Sequence, residues 1–392
     1  MKPKYELSEI VQLYGKSFLK QHPQSKQKLK TLDAIARCRT ASLGGHKSKC
    51  NTCGSEKYFY NSCRNRHCPK CQVVNREKWI LQRESELLPV AYYHIVFTLP
   101  HELNILAEKH PKEVYNALFY AGWNTIKTLA NDPKYIGAKT GMVAVLHTWG
   151  QKLWLHPHLH CIVPGGGLTL RSTQCGAKHG KWKSAKHKDK YLFPQKVMSK
   201  IYRAKFVSKL RADGIKIPQN IAKPIFKKDW IVYAKRPFST PKTVVEYLGR
   251  YTHKVAISNH RLNSIENETV NFQYKDYRKG AKKLNTALSA NEFLRRFCLH
   301  ILPKGFVRMR HYGILASKNK ATELNSAKSE FGLEAWTKTE VDWKTIAREK
   351  LNLNPDLCTK CKVGLLEIIE GILPQRGPPT FRLKSALNFD KQ

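Results

Sequence analysis

The histidine-rich stretch at residues 155–167 has side chains of the type and spacing that bind a metal ion. His156, His158 and His160 are two positions apart, so all three leave the same face of an extended strand. Neutral imidazole nitrogens on a rigid element suit a divalent cation. A lone histidine is more often a polar surface residue. A His-x-His pair followed by Pro164 and three glycines favours a metal site.

A pair of tyrosines on a predicted helix is the second chemical candidate. Pro241 suits the first helical position, which places Tyr247 and Tyr251 one turn apart on one face and Lys254 close to a further turn along it. A free phenol has a pKa near 10 and is a weak nucleophile, which a nearby cation would improve. Core packing is the commoner role for such a pair, but with the histidines it suggests metal-assisted phosphoryl transfer.

Cysteines and histidines cluster between residues 38 and 71. Two Cys-x-x-Cys pairs separated by fourteen residues are typical of a zinc ribbon, where thiolate ligation replaces a hydrophobic core. We predict that Cys50, Cys53, Cys68 and Cys71 share one ion. Four interleaved residues predict either a second, cross-braced zinc site or, for the cysteines, small buried hydrophobes. They are Cys38, His46, Cys63 and His67.

A last Cys-x-x-Cys pair, Cys358 and Cys361, lies far from this cluster in the sequence. Two thiolates cannot complete a tetrahedral site by themselves. The pair either recruits Cys298 and His300 or is half of a lost or shared site, and its role stays open.

The charge of the chain indicates its partner. Seventy lysines and arginines against 29 acidic residues give a formal charge of +41 at pH 7 over 392 residues. Such an excess favours a polyanion, and the 8 tryptophans and 17 tyrosines could stack unpaired bases. A membrane surface is the weaker option, because no apolar run approaches the roughly 18 residues of a spanning helix. We expect a soluble, cytoplasmic, nucleoid-associated protein.

Basic side chains on the turns of the cysteine cluster suit phosphate contacts, although a solvated charge run is the alternative. We predict DNA contacts there and on two later elements. The predicted DNA-binding residues are Arg64, Arg66, Lys70, Arg250, Arg308 and Arg310.

Periodicity predicts an α+β fold around these residues. A helical pair covers residues 5–40, and helices follow near 72–88, 111–129, 197–210, 241–254 and 289–301. Strands are predicted at 92–100, 141–150, 155–163, 230–235 and 306–312, with a hairpin over 255–277. The strand at 141–150 forms a hairpin with the histidine strand. Residues 168–190 are predicted to form a mobile basic loop.

Along nearly its whole length the chain resembles the insertion-sequence ninety-one family of transposases, the two-tyrosine HUH class of rolling-circle transposases. Phe97-Thr98-Leu99 is also similar to the first motif of rolling-circle replication initiators. The stretches that carry the family resemblance are Cys38-Arg39-Thr40-Ala41, Leu43-Gly44-Gly45-His46, Asn61-Ser62-Cys63-Arg64-Asn65-Arg66-His67-Cys68-Pro69-Lys70-Cys71, Val96-Phe97-Thr98-Leu99-Pro100-His101-Glu102, Leu146-His147-Thr148-Trp149-Gly150-Gln151, His156-Pro157-His158-Leu159-His160 and Tyr247-Leu248-Gly249-Arg250-Tyr251.

The resemblance implies an HUH endonuclease and strand transferase. Tyr247 and Tyr251 would each form a 5′-phosphotyrosine with cleaved single-stranded DNA and leave a 3′-hydroxyl, with Lys254 favouring the phenolate. The implied partners are single-stranded DNA, the hairpin ends of a mobile element and target DNA. An oligomeric state is not implied.

The resemblance also implies a catalytic metal ion, Mg²⁺ or Mn²⁺, on His158 and His160. Such sites usually take a third polar ligand. Gln151 is the first candidate, because an amide oxygen suits these hard ions, and His156 and His147 stand behind it. One or two Zn²⁺ would occupy the N-terminal module.

Four regions follow from this assignment. They are an N-terminal helical segment (1–37), a zinc-binding domain (38–89), an HUH domain with a central antiparallel sheet and flanking helices (90–315), and a basic C-terminal region with a Cys-x-x-Cys pair (316–392).

Three alternatives stay open. A replication initiator or relaxase would use the same chemistry. A zinc-dependent DNA-binding regulator would use none. A tyrosine recombinase based on Arg308, Arg310, His311 and Tyr312 would form a 3′-phosphotyrosine without a metal.

Overall fold

The computed structural model describes residues 3–169, 180–186, 191–234, 240–338 and 340–375. The helices are α1 (Leu7–Gln21), α2 (Lys26–Ala36), α3 (Val73–Glu84), α4 (Asn104–Lys109), α5 (Pro111–Asn131), α6 (Gln195–Ala212), α7 (Gln219–Lys227), α8 (Pro241–Thr252), α9 (Ala290–Leu299), α10 (Asn325–Ser329) and α11 (Trp343–Leu351). The strands are β1 (Gly45–Cys50), β2 (Glu56–Tyr60), β3 (Tyr92–Thr98), β4 (Gly141–Trp149), β5 (Leu155–Pro164), β6 (Gly166–Leu168), β7 (Trp182–Ser184), β8 (Val232–Ala234), β9 (Leu262–Glu266), β10 (Thr269–Asp276), β11 (Lys282–Ser289), β12 (Met309–Gly313) and β13 (Leu366–Ile372).

A five-stranded antiparallel sheet in the order β12-β4-β5-β3-β8 forms the centre of the fold. One face packs on α4, α5 and α6 through a large apolar core that includes Phe97, Phe119 and Tyr202. The other face packs on α3 and α8, where Ile162 meets Val245 and Trp79. The predicted α+β fold with a central antiparallel sheet is confirmed, and β5 is the middle strand.

A second core joins the N-terminal helices to a later part of the chain. Leu7 and Ile10 of α1 share it with Phe293 and Phe297 of α9 and with Phe272 of β10. The predicted helical pair is therefore packed on residues that lie far away in sequence. Ser289 caps α9, because its hydroxyl accepts the N–H of Glu292.

Strand β11 was missed by the sequence analysis, which predicted only a hairpin over residues 255–277. β11 pairs along the whole length of β10 and completes the sheet β11-β10-β9. Its side chains are exposed or only half-buried, so the strand has no strong apolar alternation. Helix α7 was also missed, since Pro224 interrupts its pattern.

The C-terminal region is not separate from the zinc-binding region. β13 pairs antiparallel with β1 from Gly45 opposite Ile372 to Cys50 opposite Leu366, and gives the sheet β13-β1-β2. Pairing between the two ends of the chain has no local sequence signal. Within the predicted basic loop, Trp182–Ser184 forms β7 against β6, while residues 170–179 and 187–190 lie outside the described ranges.

Gly167 allows β6 to lie against the segment before β4. A Cβ at this position would meet the Lys139 carbonyl oxygen at 2.5 Å, and backbone cannot swing aside as a side chain can. We expect Gly167→Ala to lower the free energy of unfolding by roughly 1–3 kcal/mol, measured by urea unfolding. Gly371→Ala is the control, because a Cβ there would meet nothing within 4 Å. Equal midpoints for the two variants would contradict this close approach.

Candidate active site and metal centres

The register of the β4–β5 hairpin brings three histidines together. His147 lies directly opposite His158, and Val145 lies opposite His160, so the three imidazoles share one face of the sheet. One ligand nitrogen from each of His147, His158 and His160 lies within 4.8 Å of the others. We call these three residues the histidine triad.

The third member of the triad corrects the order of candidates predicted from the sequence. Gln151 lies in the β4–β5 turn, where its Oε1 accepts the backbone N–H of Lys275 at 3.3 Å and its carbonyl accepts from Arg261. His156 is exposed. The structure therefore brings His147, and neither Gln151 nor His156, to the predicted pair, because His147 faces His158 across the ladder.

Burial keeps two members of the triad neutral. It lowers the pKa of His158 to about 3, with the charges of His156 and Lys254 adding to the effect. Burial and the neighbouring imidazoles lower the pKa of His160 well below its ordinary value. His158 Nδ1 lies 2.7 Å from the His156 carbonyl oxygen, so it donates there and leaves Nε2 for a metal ion.

Helix α8 brings Tyr247 beside the triad. The ring of Tyr247 meets the ring of His94 edge-on, with centroids 5.1 Å apart. The rings of His94 and His160 are nearly parallel, with centroids 5.2 Å apart, and His94 Nε2 and His160 Nδ1 are within hydrogen-bond distance at 2.9 Å. His94 thus links the tyrosine helix to the metal-binding face. The side chains of Tyr251 and Arg250 lie outside the described part of the chain.

Lys254 follows α8 and lies close to the same site. Its charge contributes to the lowered pKa of both His158 and His160. Desolvation and the charges of Arg261 and Lys275 lower the pKa of Lys254 itself. The Lys254 carbonyl accepts a hydrogen bond from Arg308 Nη1 at 3.2 Å. The Lys254 ammonium group thus lies near enough to the triad for its charge to act on two of the imidazoles.

The cysteines form two groups of four, and neither is the predicted grouping. In each group all four Sγ atoms lie within 4.8 Å of one another. Sulfur–sulfur separations of 3.5 to 3.8 Å occur in both groups. A tetrahedral zinc site with Zn–S bonds of about 2.3 Å requires sulfurs about 3.8 Å apart, so both groups fit Zn²⁺. The two groups are Cys38, Cys63, Cys68 and Cys71, and Cys50, Cys53, Cys358 and Cys361.

The two histidines predicted as zinc ligands do not join either group. His46 lies on β1 opposite Phe59 of β2 and stacks on its ring at 5.2 Å between centroids. His67 is buried, and its Nε2 accepts the backbone N–H of Leu302 at 3.4 Å. Four sulfurs already supply each tetrahedral set, which leaves no position for an imidazole.

Three of the predicted DNA-binding arginines line one cleft. Arg64, Arg66 and Arg308 surround a cavity of about 360 Å³ together with His253 and Phe306. The cleft adjoins the candidate active site, because Arg308 also donates a hydrogen bond to the Lys254 carbonyl.

Two other predicted DNA contacts lie elsewhere. Lys70 pairs with Glu6 at 2.5 Å. Arg310 faces the α5 side of the central sheet, where it bonds Asn116 at 2.6 Å and covers the ring of Phe119. Neither side chain lines the cleft.

Two positions of the candidate site were missed or ranked low by the sequence analysis. His94 was seen only as part of an apolar strand, and His147 was ranked behind Gln151. The signal that could have found both is strand alternation. His94 has the strand parity that places it on the same face of the sheet as His160, and His147 lies on that face too, once the strand registers are known.

Comparison with known proteins shows the family to which the chain belongs. A family model described as "Transposase zinc-binding domain" matches residues 10–99, and one described as "Putative transposase" matches residues 141–322. A Sinorhizobium fredii (strain NBRC 101917 / NGR234) protein named "Putative transposase y4qJ" is 38% identical over 398 residues, which cover 95% of this chain and 97% of the relative. The chain belongs to the insertion-sequence ninety-one family of transposases.

The transposase is also similar to the "Transposase for insertion sequence element IS801" of Pseudomonas savastanoi pv. phaseolicola. The two are 27% identical over 364 residues, covering 85% of this chain and 81% of the relative. No solved structure matches the transposase. Among its described residues, no helix has the length and apolar character needed to cross a membrane.

Proposed function

We propose that this transposase nicks and joins single-stranded DNA by transesterification, with Tyr247 and Tyr251 as the nucleophiles. The observation that carries the proposal is the contact from Tyr247 through His94 to His160, which puts a phenol beside three convergent imidazoles. A phenol and a metal-binding face side by side are the two parts that phosphoryl transfer to tyrosine requires.

In the proposed step, the phenolic oxygen bonds to the scissile phosphorus and the P–O3′ bond breaks. The phenolic proton leaves to solvent, and the departing 3′ oxygen takes up a proton to become a hydroxyl. The 5′-phosphate stays on the tyrosine as an ester of similar energy. A free 3′-hydroxyl can therefore reverse the step without ATP, which suits strand transfer better than hydrolysis.

The residues of the triad fit a divalent ion. Such an ion, when bound, would withdraw charge from a non-bridging phosphate oxygen and orient the phosphate. The chemistry of the ligand atoms indicates which ion the triad would prefer. Because His147, and not Gln151, lies beside the predicted pair, the set has three imidazoles, and a nitrogen set of this kind favours a transition-metal ion over the oxygen-preferring Mg²⁺. We therefore place Mn²⁺ ahead of Mg²⁺.

Charge supplies the remaining requirement, which is to hold the DNA strand. The cleft of Arg64, Arg66 and Arg308 lies beside Lys254 at the end of the tyrosine helix. We propose that phosphates of single-stranded DNA from the hairpin ends of the element follow this cleft to the triad. The overall charge of +41 adds sequence-independent affinity.

Trapping the covalent intermediate tests the proposal. A single-stranded oligonucleotide carrying an element end and a 3′-terminal label is incubated with the transposase and Mn²⁺. We expect a denaturant-resistant adduct that keeps the 3′ label, with the DNA on Tyr247 or Tyr251 by peptide mapping. The released fragment should end in a 3′-hydroxyl. A 3′-phosphotyrosine would indicate a recombinase, and no adduct with any divalent ion would indicate a non-catalytic DNA-binding protein.

A further inference from the structure

The second group of cysteines joins the zinc-binding region near the N-terminus to the C-terminal Cys-x-x-Cys pair. Cys50 ends β1 and Cys53 lies in the turn that follows it, whereas Cys358 and Cys361 belong to the C-terminal Cys-x-x-Cys pair. Cys50 Sγ lies 3.7 Å from Cys361 Sγ, and Cys53 Sγ lies 3.8 Å from Cys358 Sγ. The family model for the zinc-binding domain stops at residue 99, so it does not include the C-terminal pair.

Each half of this group is preorganised by its own backbone. The N–H of Cys53 points at Cys50 Sγ at 3.5 Å, and the N–H of Gly364 points at Cys361 Sγ at 3.3 Å. Backbone N–H groups aimed at sulfur stabilise thiolates, which are the form that binds a metal. Both turns thus have the geometry of a zinc knuckle.

The two turns also fit each other closely. Asn51 accepts the N–H of Leu365 on its Oδ1 at 2.9 Å and donates its own N–H to the Leu365 carbonyl at 3.0 Å. A Cβ at Gly364 would meet Cys50 Sγ at 2.5 Å. The absence of a side chain at Gly364 lets the C-terminal turn approach the first knuckle.

Apolar burial does not explain why the C-terminal turn and β13 pack against the first knuckle and β1. Among the described residues, no member of β1, β2 or β13 belongs to any of the three hydrophobic cores. Ile368 and Ile369 on β13 are 67% and 49% exposed. A three-stranded sheet without a core needs another source of stability, such as a metal ion.

The charge around the group also suits a metal ion with four thiolates. A Zn²⁺ ion with four thiolates carries a net charge of −2. Lys49, Lys360 and Lys362 are next to these cysteines in the sequence. Lys57 Nζ lies 3.4 Å from the Oγ1 of Thr359, which stands between the two cysteines of the C-terminal pair. Cations placed there offset the charge of the cluster.

We propose that Cys50, Cys53, Cys358 and Cys361 bind a structural Zn²⁺ that clasps the C-terminal strand β13 onto the N-terminal zinc-binding region. The transposase then holds two Zn²⁺ per chain. The first is bound by Cys38, Cys63, Cys68 and Cys71. The second joins the zinc-binding region near the N-terminus to the C-terminal pair. The C-terminal pair is a part of the zinc-binding region, and not a separate module.

Zinc content of the full-length transposase tests the clasp. We expect two equivalents in the unaltered chain by native mass spectrometry, and one equivalent in Cys358→Ser/Cys361→Ser. Cys298→Ala should retain both, because Cys298 is a buried core residue outside the two groups. Two equivalents in the C-terminal double variant would overturn the proposal, since the N-terminal ligands would then hold both ions.

A measurement on the unaltered chain keeps the test valid if the variant fails to fold. Thiols are alkylated before and after zinc chelation and mapped by mass spectrometry. We expect Cys50, Cys53, Cys358 and Cys361 to be protected together and to become reactive together. Alkylation of the C-terminal pair while Cys50 and Cys53 stay protected would contradict a shared ion, and so would disulfides within the group.

Discussion

Tyr247→Phe/Tyr251→Phe is expected to abolish the covalent DNA adduct, with a loss on the order of 10³-fold or more in strand cleavage. The reason is chemical, because phenylalanine keeps the aromatic ring and removes only the attacking oxygen. Each single variant should keep partial cleavage, since the remaining tyrosine can still attack. Adduct yield on a labelled single-stranded oligonucleotide measures the effect.

Tyr58→Phe is the matched control for the tyrosine variants. Tyr58 is 54% exposed on β2, in the sheet β13-β1-β2, and it belongs neither to the triad nor to α8. We expect the Tyr58→Phe variant to cleave DNA as the unaltered chain does. Full cleavage by the double variant would rule out both tyrosines as nucleophiles.

Removal of triad imidazoles is the second change with a large expected effect. His158→Ala and His160→Ala should each lower metal-dependent cleavage by roughly 10²-fold or more, because two remaining nitrogens hold the ion weakly and misplace it. His156→Ala is the matched control. It removes an exposed imidazole but keeps the backbone carbonyl that orients His158. Equal losses in all three variants would contradict the assignment.

A conservative change at His147, the third member of the triad, separates an effect on metal binding from a general loss of structure. His147→Gln replaces an imidazole with an amide oxygen, which is the donor that Mg²⁺ prefers. We expect this variant to lose activity with Mn²⁺ and to gain it with Mg²⁺ relative to the unaltered chain. The same shift should appear when the affinities for the two ions are measured by calorimetry without DNA. An unchanged metal preference would place His147 outside the coordination shell.

The chemical elements of this transposase are local in sequence, and for that reason they were predictable. A His-x-His pair needs only strand alternation to point both imidazoles one way, and two tyrosines four apart need only a helix. The helix start at Pro241 and the end of β3 before Pro100 follow from the dihedral limits of proline. These rules operate within a few residues.

Which residues come together from distant parts of the sequence was not predictable in this way. The cross-brace of Cys50 and Cys53 with Cys68 and Cys71 was a reasonable prediction, because it joined the nearest pairs in sequence. A thiolate carries no information about which other thiolate it meets, so only the antiparallel pairing of β1 with β13 decides that Cys358 completes the set.

Strand pairing also decided which residue is the third member of the triad. Gln151 and His147 both precede His158 by a short stretch, and donor chemistry alone favoured Gln151. The hairpin register places His147 opposite His158, whereas Gln151 lies in the turn and bonds Lys275.

The sequence by itself therefore determined which chemistry this protein carries: the histidine pair, the tyrosine helix, the thiolate knuckles and the charge that attracts DNA. Tertiary structure decided which of these groups act together. It placed His94 between Tyr247 and His160, and it joined the C-terminal cysteines to the N-terminal ones. The physical reason is that side-chain direction follows from local backbone geometry, whereas proximity between distant residues depends on strand register and on which surfaces share a core.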